Sequence, residues 1–273
     1  MLRSGGGITA LVLAAQRNGE PGALADRFGV SHKCLVPIGG RPLIEHVLLT
    51  LSESPDVSQI LVSIEDVSVL DGNALVTRLI ESGMLRIIPA RDNIAASVVV
   101  AAAAVQHWPL LITTADNVLF TVSAILTMVQ GTDKADIAAA FARKDSVLAA
   151  HPEGQRRFYQ FADDAYSNCN CYWIGSKNAL GAANVFREGG QFSKHPMRIA
   201  KAFGLLNLIR FRLGIGSLEQ SFNRFSRRLG LSMQAVIFDD GSLAIDVDND
   251  RTYAVAEELL IARNTASKEA YAA

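Results

Sequence analysis

Acids and cations at opposite ends of this chain have the residue types and spacing of a phosphate site. An apolar run into Ile245-Asp-Val-Asp-Asn-Asp250 ends in three alternating acids, Asp246, Asp248 and Asp250. Such a density of negative charge calls for a cation, because two carboxylates about 4 Å apart repel by roughly 4 kcal/mol at an effective dielectric of 20. Far upstream, Leu11-Val-Leu-Ala-Ala-Gln-Arg-Asn-Gly19 reads as a buried strand that breaks into a polar loop. It runs on to Lys33-Cys-Leu-Val-Pro-Ile-Gly-Gly-Arg-Pro-Leu43. A glycine-containing loop between strand and helix offers N–H groups to anions, and Arg17 and Lys33 supply the charge that a triphosphate needs. The two segments read as halves of one nucleotide site. Asp116, in Thr113-Thr-Ala-Asp-Asn117 after another apolar strand, is a further candidate for the cation. It can also be read as the cap of the helix that follows.

The elements that must position these residues alternate. Strands are expected at 10–15, 59–64, 85–89, 110–114 and 136–141, with helices at 43–52, 72–82, 93–107 and 122–130 between them. That alternation specifies an α/β, Rossmann-like fold with a mostly parallel central sheet and helices on both faces. Ligands of such sheets bind beyond the carboxyl ends of the strands. Residues 143–160 read as loops and short strands, 167–174 as a strand and 177–187 as a helix. Stretch 193–231 mixes Lys194, His195, Arg198, Lys201, Arg210, Arg212, Arg224, Arg227 and Arg228 with Phe203, Leu205, Leu206, Leu208, Ile209, Phe211, Phe222 and Phe225. It reads as a basic amphipathic helical insertion in a single domain, 1–273. The end is expected as a hairpin of 234–238 and 243–247 turning at Asp239-Asp-Gly241, then a helix at 251–264 and a frayed tail past Thr265.

Composition narrows the partners. The chain has 273 residues, 49% of them hydrophobic, and a formal net charge of -1. No global basic field recruits nucleic acid, so phosphate binding must be local. The apolar segments are too short to span a bilayer, which takes roughly 20 residues. A cytoplasmic protein without a transmembrane segment is expected. Cys34, Cys169 and Cys171 have no zinc-type spacing with histidine and read as reduced packing residues.

The loop at 13–19, Lys33 and Pro37-Ile-Gly-Gly-Arg-Pro-Leu-Ile44 together resemble the signature of the MobA-like nucleotidyltransferases, L-A-A-G-x-G-x-R followed by P-K-x-L-x-x-x-G-x-P-L-I. Gln16 stands where that pattern has glycine, and Ser31-His32 replace the residues usual before the lysine. The segment 245–253 resembles the same family's D-x-D-T-P-E-D-L, with Asn249 and Asp250 in place of Thr-Pro.

The resemblance implies an Mg²⁺-dependent enzyme joining the NMP of an NTP to a phosphorylated small acceptor, a sugar or alcohol phosphate, with release of pyrophosphate. Asp116 and Asp248 would hold the metal, with Asp246 the close alternative. Leu13, Ala14, Ala15, Gln16, Arg17, Asn18, Gly19, Lys33, Asn93 and Ser97 would bind nucleotide; Arg17, Lys33 and Asp116 would be catalytic. Asn168 and Asn170 would face the acceptor. CTP is favoured over GTP by analogy with alcohol-phosphate acceptors that feed lipid synthesis, and the basic insertion would close over the acceptor, contact a membrane peripherally or pack on the domain. A glycosyltransferase of the same fold and a non-catalytic nucleotide-binding protein are the alternatives.

Overall fold

The computed structural model describes residues 7–16, 22–132, 134–180 and 204–272. Strand β1 (Ile8–Leu13) lies inside an eight-stranded sheet. It pairs in parallel with β4 (Val57–Ile64) on one side and with β6 (Leu110–Thr114) on the other, and β4 carries β5 (Leu85–Pro89). The chain therefore leaves β1 in one direction and returns on its other side, which opens a crevice at the carboxyl ends of β1 and β6. Beyond β6 lie β9 (Ala165–Ile174), β7 (Ile137–Arg143) and β10 (Met233–Phe238). Of these, β9 runs antiparallel to both neighbours and pairs at its start with the short β8 (Tyr159–Gln160), while β7 and β10 are parallel. A separate ribbon, β2 (Pro37–Ile38) and β3 (Arg41–Pro42), turns through Gly39 and Gly40, whose φ values of 56° and 83° suit residues without Cβ.

Alternation along the strands divides the core between two faces. Ile8, Ala10 and Val12 of β1 join Ile60, Val62 and Ile64 of β4 under α2 (Leu43–Glu53), α3 (Ala74–Glu81) and α5 (Val122–Gly131). Leu11, Leu61, Ile88, Leu110 and Ile112 point the other way, against Val98 and Ala101 of α4 (Ile94–Ala102). α1 (Ala23–Phe28) precedes the Lys33 turn, and α6 (Lys144–Ala150) occupies part of the stretch expected to be loops and short strands. α4 ends before the expected limit, where the Gln106 N–H donates to Gln59 Oε1 and the His107 carbonyl accepts the Thr9 hydroxyl.

The late basic stretch is helical where described, as α7 (Leu205–Arg212) and α8 (Leu218–Leu229). Ser217 and Gln220 form a capping box at the start of α8, and Gly230 closes its end at φ 67°. Leu218, Phe222 and Phe225 pack on Phe141, Tyr166 and Met233, so α8 covers the sheet beside β7 and β10. α8 thus packs on the domain. The expected helix at 177–187 lies outside the described residues beyond Leu180.

The expected hairpin does not form. β10 pairs with β7, and Gly241–Ala244 is a 3-10 turn in which the Asp240 carboxylate accepts the Ser242 N–H. At Gly241 the backbone touches α6 so closely that a Cβ would meet the Ser146 carbonyl at 2.1 Å. This close approach holds the turn against α6, and residues 245–249 continue outside any strand, with the Asp248 N–H bonded to the Asp246 carbonyl at 3.1 Å. The last helix, α9 (Asp250–Ala272), runs through the tail expected to fray. Replacing Phe222 with Ala should cost about 3–5 kcal/mol in urea unfolding; a loss under about 0.5 kcal/mol would mean that α8 is not part of the core.

Candidate active site

The acids converge because three backbone arrangements bring them together. Asp116 follows β6 at the crevice, and its carbonyl accepts the Val247 N–H at 3.1 Å. Ile245 and Val247 are wholly buried, which turns the alternate residues Asp246 and Asp248 outward to the same place. Thr252 Oγ1 accepts the N–H groups of Asp248 and Asn249, and Asn249 Oδ1 caps the following turn by accepting from Arg251 and Thr252. Carboxylate oxygens of Asp116, Asp246 and Asp248 lie within 4.8 Å of one another.

Lys33 enters from a 3-10 turn, Lys33–Leu35, just before β2. Its Nζ lies 2.5 Å from Asp116 Oδ2 and 2.6 Å from Asp248 Oδ1. Tyr253 of α9 donates its hydroxyl to the Pro37 carbonyl at 2.8 Å and stacks on Phe28, with ring centroids 5.0 Å apart. Arg27 adds an ion pair to Asp250. The segment that carries the acids is thereby fastened to the segment that carries the lysine.

The electrostatics follow from this crowding. Burial acts to lower the Lys33 pKa, but the charges of Asp116 and Asp248 and their hydrogen bonds outweigh it and raise it, so the ammonium is retained. Asp246 is pushed up to about 8 by burial and by the neighbouring Asp248 and Asp116 charges. One buried oxygen of the cluster, Asp116 Oδ1, has no protein partner. An unpaired buried carboxylate oxygen beside two further acids is the donor set of a hard divalent cation, so the residues fit Mg²⁺.

Next to the acids is a cavity of about 300 Å³ lined by Gln155, Arg157, Phe158, Tyr159, Ser167, Asn168, Asn170, Asp246 and Asp248. Asn170 reaches it through a local irregularity: its φ is 47°, and the register between β7 and β9 shifts between Ala139 and Phe141. Asn168 Oδ1 accepts the Asn170 N–H, and Asn170 Nδ2 donates to Asp246 Oδ2 at 3.0 Å. A bulge that re-aims a side chain is a common device at such sites. Arg251 holds the cavity loop by donating to the carbonyls of Glu153 and Gly154, and Gln155 donates to the Ala244 carbonyl.

The nucleotide-side candidates separate into groups. Arg17, Asn18 and Gly19 lie outside the described residues. Leu13, Ala14 and Ala15 run from the end of β1 into the crevice, and of these Ala14 is buried. The Gln16 N–H donates to both Glu65 oxygens, at 3.0 and 3.2 Å, and Gln16 Nε2 donates to the Ser31 carbonyl. His32 lies 3.4 Å from Glu65 and 3.0 Å from Ser31 Oγ. The departures from the family motif, Gln16 and Ser31-His32, thus form one network around Glu65. Asn93 caps α4, and the Ser97 hydroxyl bonds the backbone of Arg91 and Asn93, so both side chains are engaged within their own loop.

Some residues here gave no signal in the sequence. Gln155, Arg157, Phe158 and Tyr159 come from a stretch without clear periodicity, and Glu65 is one acid among several after β4. Tyr253, the fourth residue of α9, has no pattern of its own.

A switched, mostly parallel sheet with helices around it and with clustered acids and a lysine at its crevice defines a Rossmann-like α/β protein. The chain belongs to the MobA-like NTP transferase domain family, whose model matches residues 10–202. In structure it is similar to a hypothetical transferase from Thermus thermophilus, with TM-score 0.74, 24% identity and coverage of 90% of this chain and 99% of that one. It is also similar to 4-diphosphocytidyl-2C-methyl-D-erythritol synthase from Anaerococcus prevotii, with TM-score 0.59, 14% identity and coverage of 94% and 99%. A third similar structure is CMP:2-keto-3-deoxy-manno-octonic acid synthetase complexed with CTP, with TM-score 0.55, 13% identity and coverage of 95% and 99%. At these identities the likeness shows a common fold. No curated protein matches the sequence significantly.

The raised Asp246 pKa sets a pH dependence. The folded state holds this proton up to about pH 8, against a carboxyl value of 3.8. Its contribution to stability is complete below the unfolded value and is lost as pH rises through the folded one. In chelator, the melting temperature should therefore fall from about pH 5 to about pH 9, and Asp246→Asn should flatten that fall. Parallel melting curves for wild type and variant would show that Asp246 is not under this strain.

Proposed function

We propose that this protein is a divalent-metal-dependent nucleotidyltransferase. An oxygen of the acceptor phosphate attacks the α-phosphorus of an NTP, the bond to the bridging oxygen breaks, and pyrophosphate leaves. The observation that carries the reading is the convergence of Asp116, Asp246 and Asp248 on Lys33 at the sheet crevice. Asp116 and Asp248, with Asp246 beside them, would hold Mg²⁺. When bound, that ion would neutralise charge on the α-phosphate and on the departing pyrophosphate.

The chain's own residues do the rest. Lys33 and Arg17 hold the triphosphate, and Leu13, Ala14, Ala15, Gln16, Asn18, Gly19, Asn93 and Ser97 form the nucleotide side. Asn168 and Asn170 orient the acceptor, and Arg157 on the cavity wall suits an acceptor that carries a phosphate. No protein nucleophile is needed. Holding two reactants in line is worth up to about 7–11 kcal/mol, and fixed positive charge adds to it. The preference for CTP is supported by two of the similar structures, a diphosphocytidyl synthase and a CMP synthetase that holds CTP. Among the described residues no helix is long and apolar enough to cross a membrane. The cytoplasm is the proposed compartment, in keeping with buried free thiols at Cys34, Cys169 and Cys171.

The Glu65 carboxylate on the Gln16 amide favours a second reading, nucleotide binding without turnover, because an anion already occupies that donor. Screening the four NTPs with Mg²⁺ by thermal shift, then assaying pyrophosphate release with sugar and alcohol phosphates, separates the two. A bound NTP at 100 times its dissociation constant adds roughly 2.7 kcal/mol of stability. Asp116→Asn should lower pyrophosphate release by ~10²–10³-fold, a range typical for loss of one charge-stabilising group. Release at the wild-type rate would remove Asp116 from the chemistry. Lys33→Ala should weaken NTP binding by about 10–100-fold in calorimetry, the worth of a charged hydrogen bond; unchanged affinity would remove it from the site.

A further inference from the structure

Eleven large apolar side chains are exposed among the described residues, and five of them, Leu205, Leu206, Ile209, Leu213 and Ile215, fall within one short stretch. Leu205, Ile209 and Leu213 recur at four-residue spacing, with the Leu213 N–H bonded to the Ile209 carbonyl, so they form one stripe along α7 and its last turn, and Leu206 flanks it. Leu206 and Leu213 are the most open, at 72% and 66%. A soluble surface seldom gathers so many exposed apolar side chains without a partner.

The charge around the stripe is one-sided. Residues 204–231 contain five arginines, at 210, 212, 224, 227 and 228, against the single acid Glu219, in a chain whose net charge is -1. Arg210, Arg227 and Arg228 are exposed, and the Arg228 guanidinium lies beside Gly204 at the start of α7. Arg224 donates to the Ile215 carbonyl at 3.1 Å, which keeps a further cation at the end of the stripe.

We propose that α7 and the exposed edge of α8 dock onto an anionic phospholipid surface. The exposed leucines and isoleucines enter the interface, and the arginines meet the lipid phosphates. Pairing with a second copy fits worse, since a two-fold contact would set these arginines against their own counterparts with one glutamate per copy to offset them. The docking surface is tied to the cavity wall. The Ala162 N–H donates to the Gly216 carbonyl at 3.0 Å and the Leu218 N–H to Asp163 Oδ1 at 3.2 Å, and the strand β8 just before them contributes Tyr159 to the cavity. This inference does not depend on the reaction proposed above.

The test is co-sedimentation of the full chain with phosphatidylcholine vesicles and with vesicles that also contain phosphatidylglycerol, at low and high salt. Wild type should pellet with the anionic vesicles, release at high salt and ignore the neutral ones. Leu206→Glu with Leu213→Glu, and separately Arg227→Glu with Arg228→Glu, should each lower partitioning by about tenfold or more. All four side chains are exposed, and melting temperatures are read beside the partitioning; Leu206→Ser with Leu213→Ser gives the same reading should glutamates disturb α7, and Arg227→Gln alone should lower partitioning should the Arg228 change disturb α8. Absence of binding, equal binding to neutral vesicles, or a dimer in light scattering that the Leu206 and Leu213 variants dissociate would overturn the proposal.

Discussion

Three carboxylates held within 4.8 Å of one another cannot all be charged without a cation among them. In this structure the cation is the Lys33 ammonium, set between Asp116 and Asp248, while the third acid, Asp246, is relieved by keeping its proton. Each unscreened pair at about 4 Å would cost roughly 4 kcal/mol at an effective dielectric of 20, a large share of what a domain has to spare. The fastening of α9 to the Lys33 segment by Tyr253, and of residue 247 to Asp116, makes sense as support for that arrangement. The fold holds the acids together, and the lysine makes holding them tolerable.

The same geometry gives the crevice two sides. On one, the end of β1 and the network of Gln16, Ser31, His32 and Glu65 form a polar wall, with Gln16 at the position where the family motif has glycine. On the other, Asn168 and Asn170 project from β9, the antiparallel strand inserted between β6 and β7, into a cavity shared with Asp246. A nucleotide and an acceptor placed on these two sides would meet at the acids. In the proposed reaction Lys33 serves the triphosphate, so it must exchange the acids for phosphate oxygens when nucleotide and cation arrive together.

Much of this was legible in the sequence, for identifiable reasons. The strands around the crevice are short β-branched and aliphatic runs with helical periods between them, and burial of both faces leaves little freedom in their assignment. The alternation of Ile245, Asp246, Val247 and Asp248 announces a buried side and a charged side whether or not the segment is paired. What failed was the ladder itself: Asp239-Asp-Gly241 is a good hairpin signal, but Gly241 is used for a close approach to α6, a tertiary demand that local pattern does not carry. The cavity wall from 155 to 159 was illegible for a similar reason. Arg251 and Gln155 fix it through backbone carbonyls, and hydrogen bonds of that kind leave no period in sequence. In the basic stretch, composition announced amphipathic helices, but only packing shows that Phe222 and Phe225 face the sheet while Leu206 and Leu213 face outward.

The most direct measurement is manganese anomalous diffraction from crystals grown with a non-hydrolysable nucleoside triphosphate. The expected result is a manganese peak bound by Asp116 together with Asp248, Asp246 or both, with the Lys33 ammonium moved onto the phosphates. Nucleotide bound elsewhere, or bound at the crevice with Lys33 still lodged between Asp116 and Asp248 and no metal at the acids, would contradict the central claim.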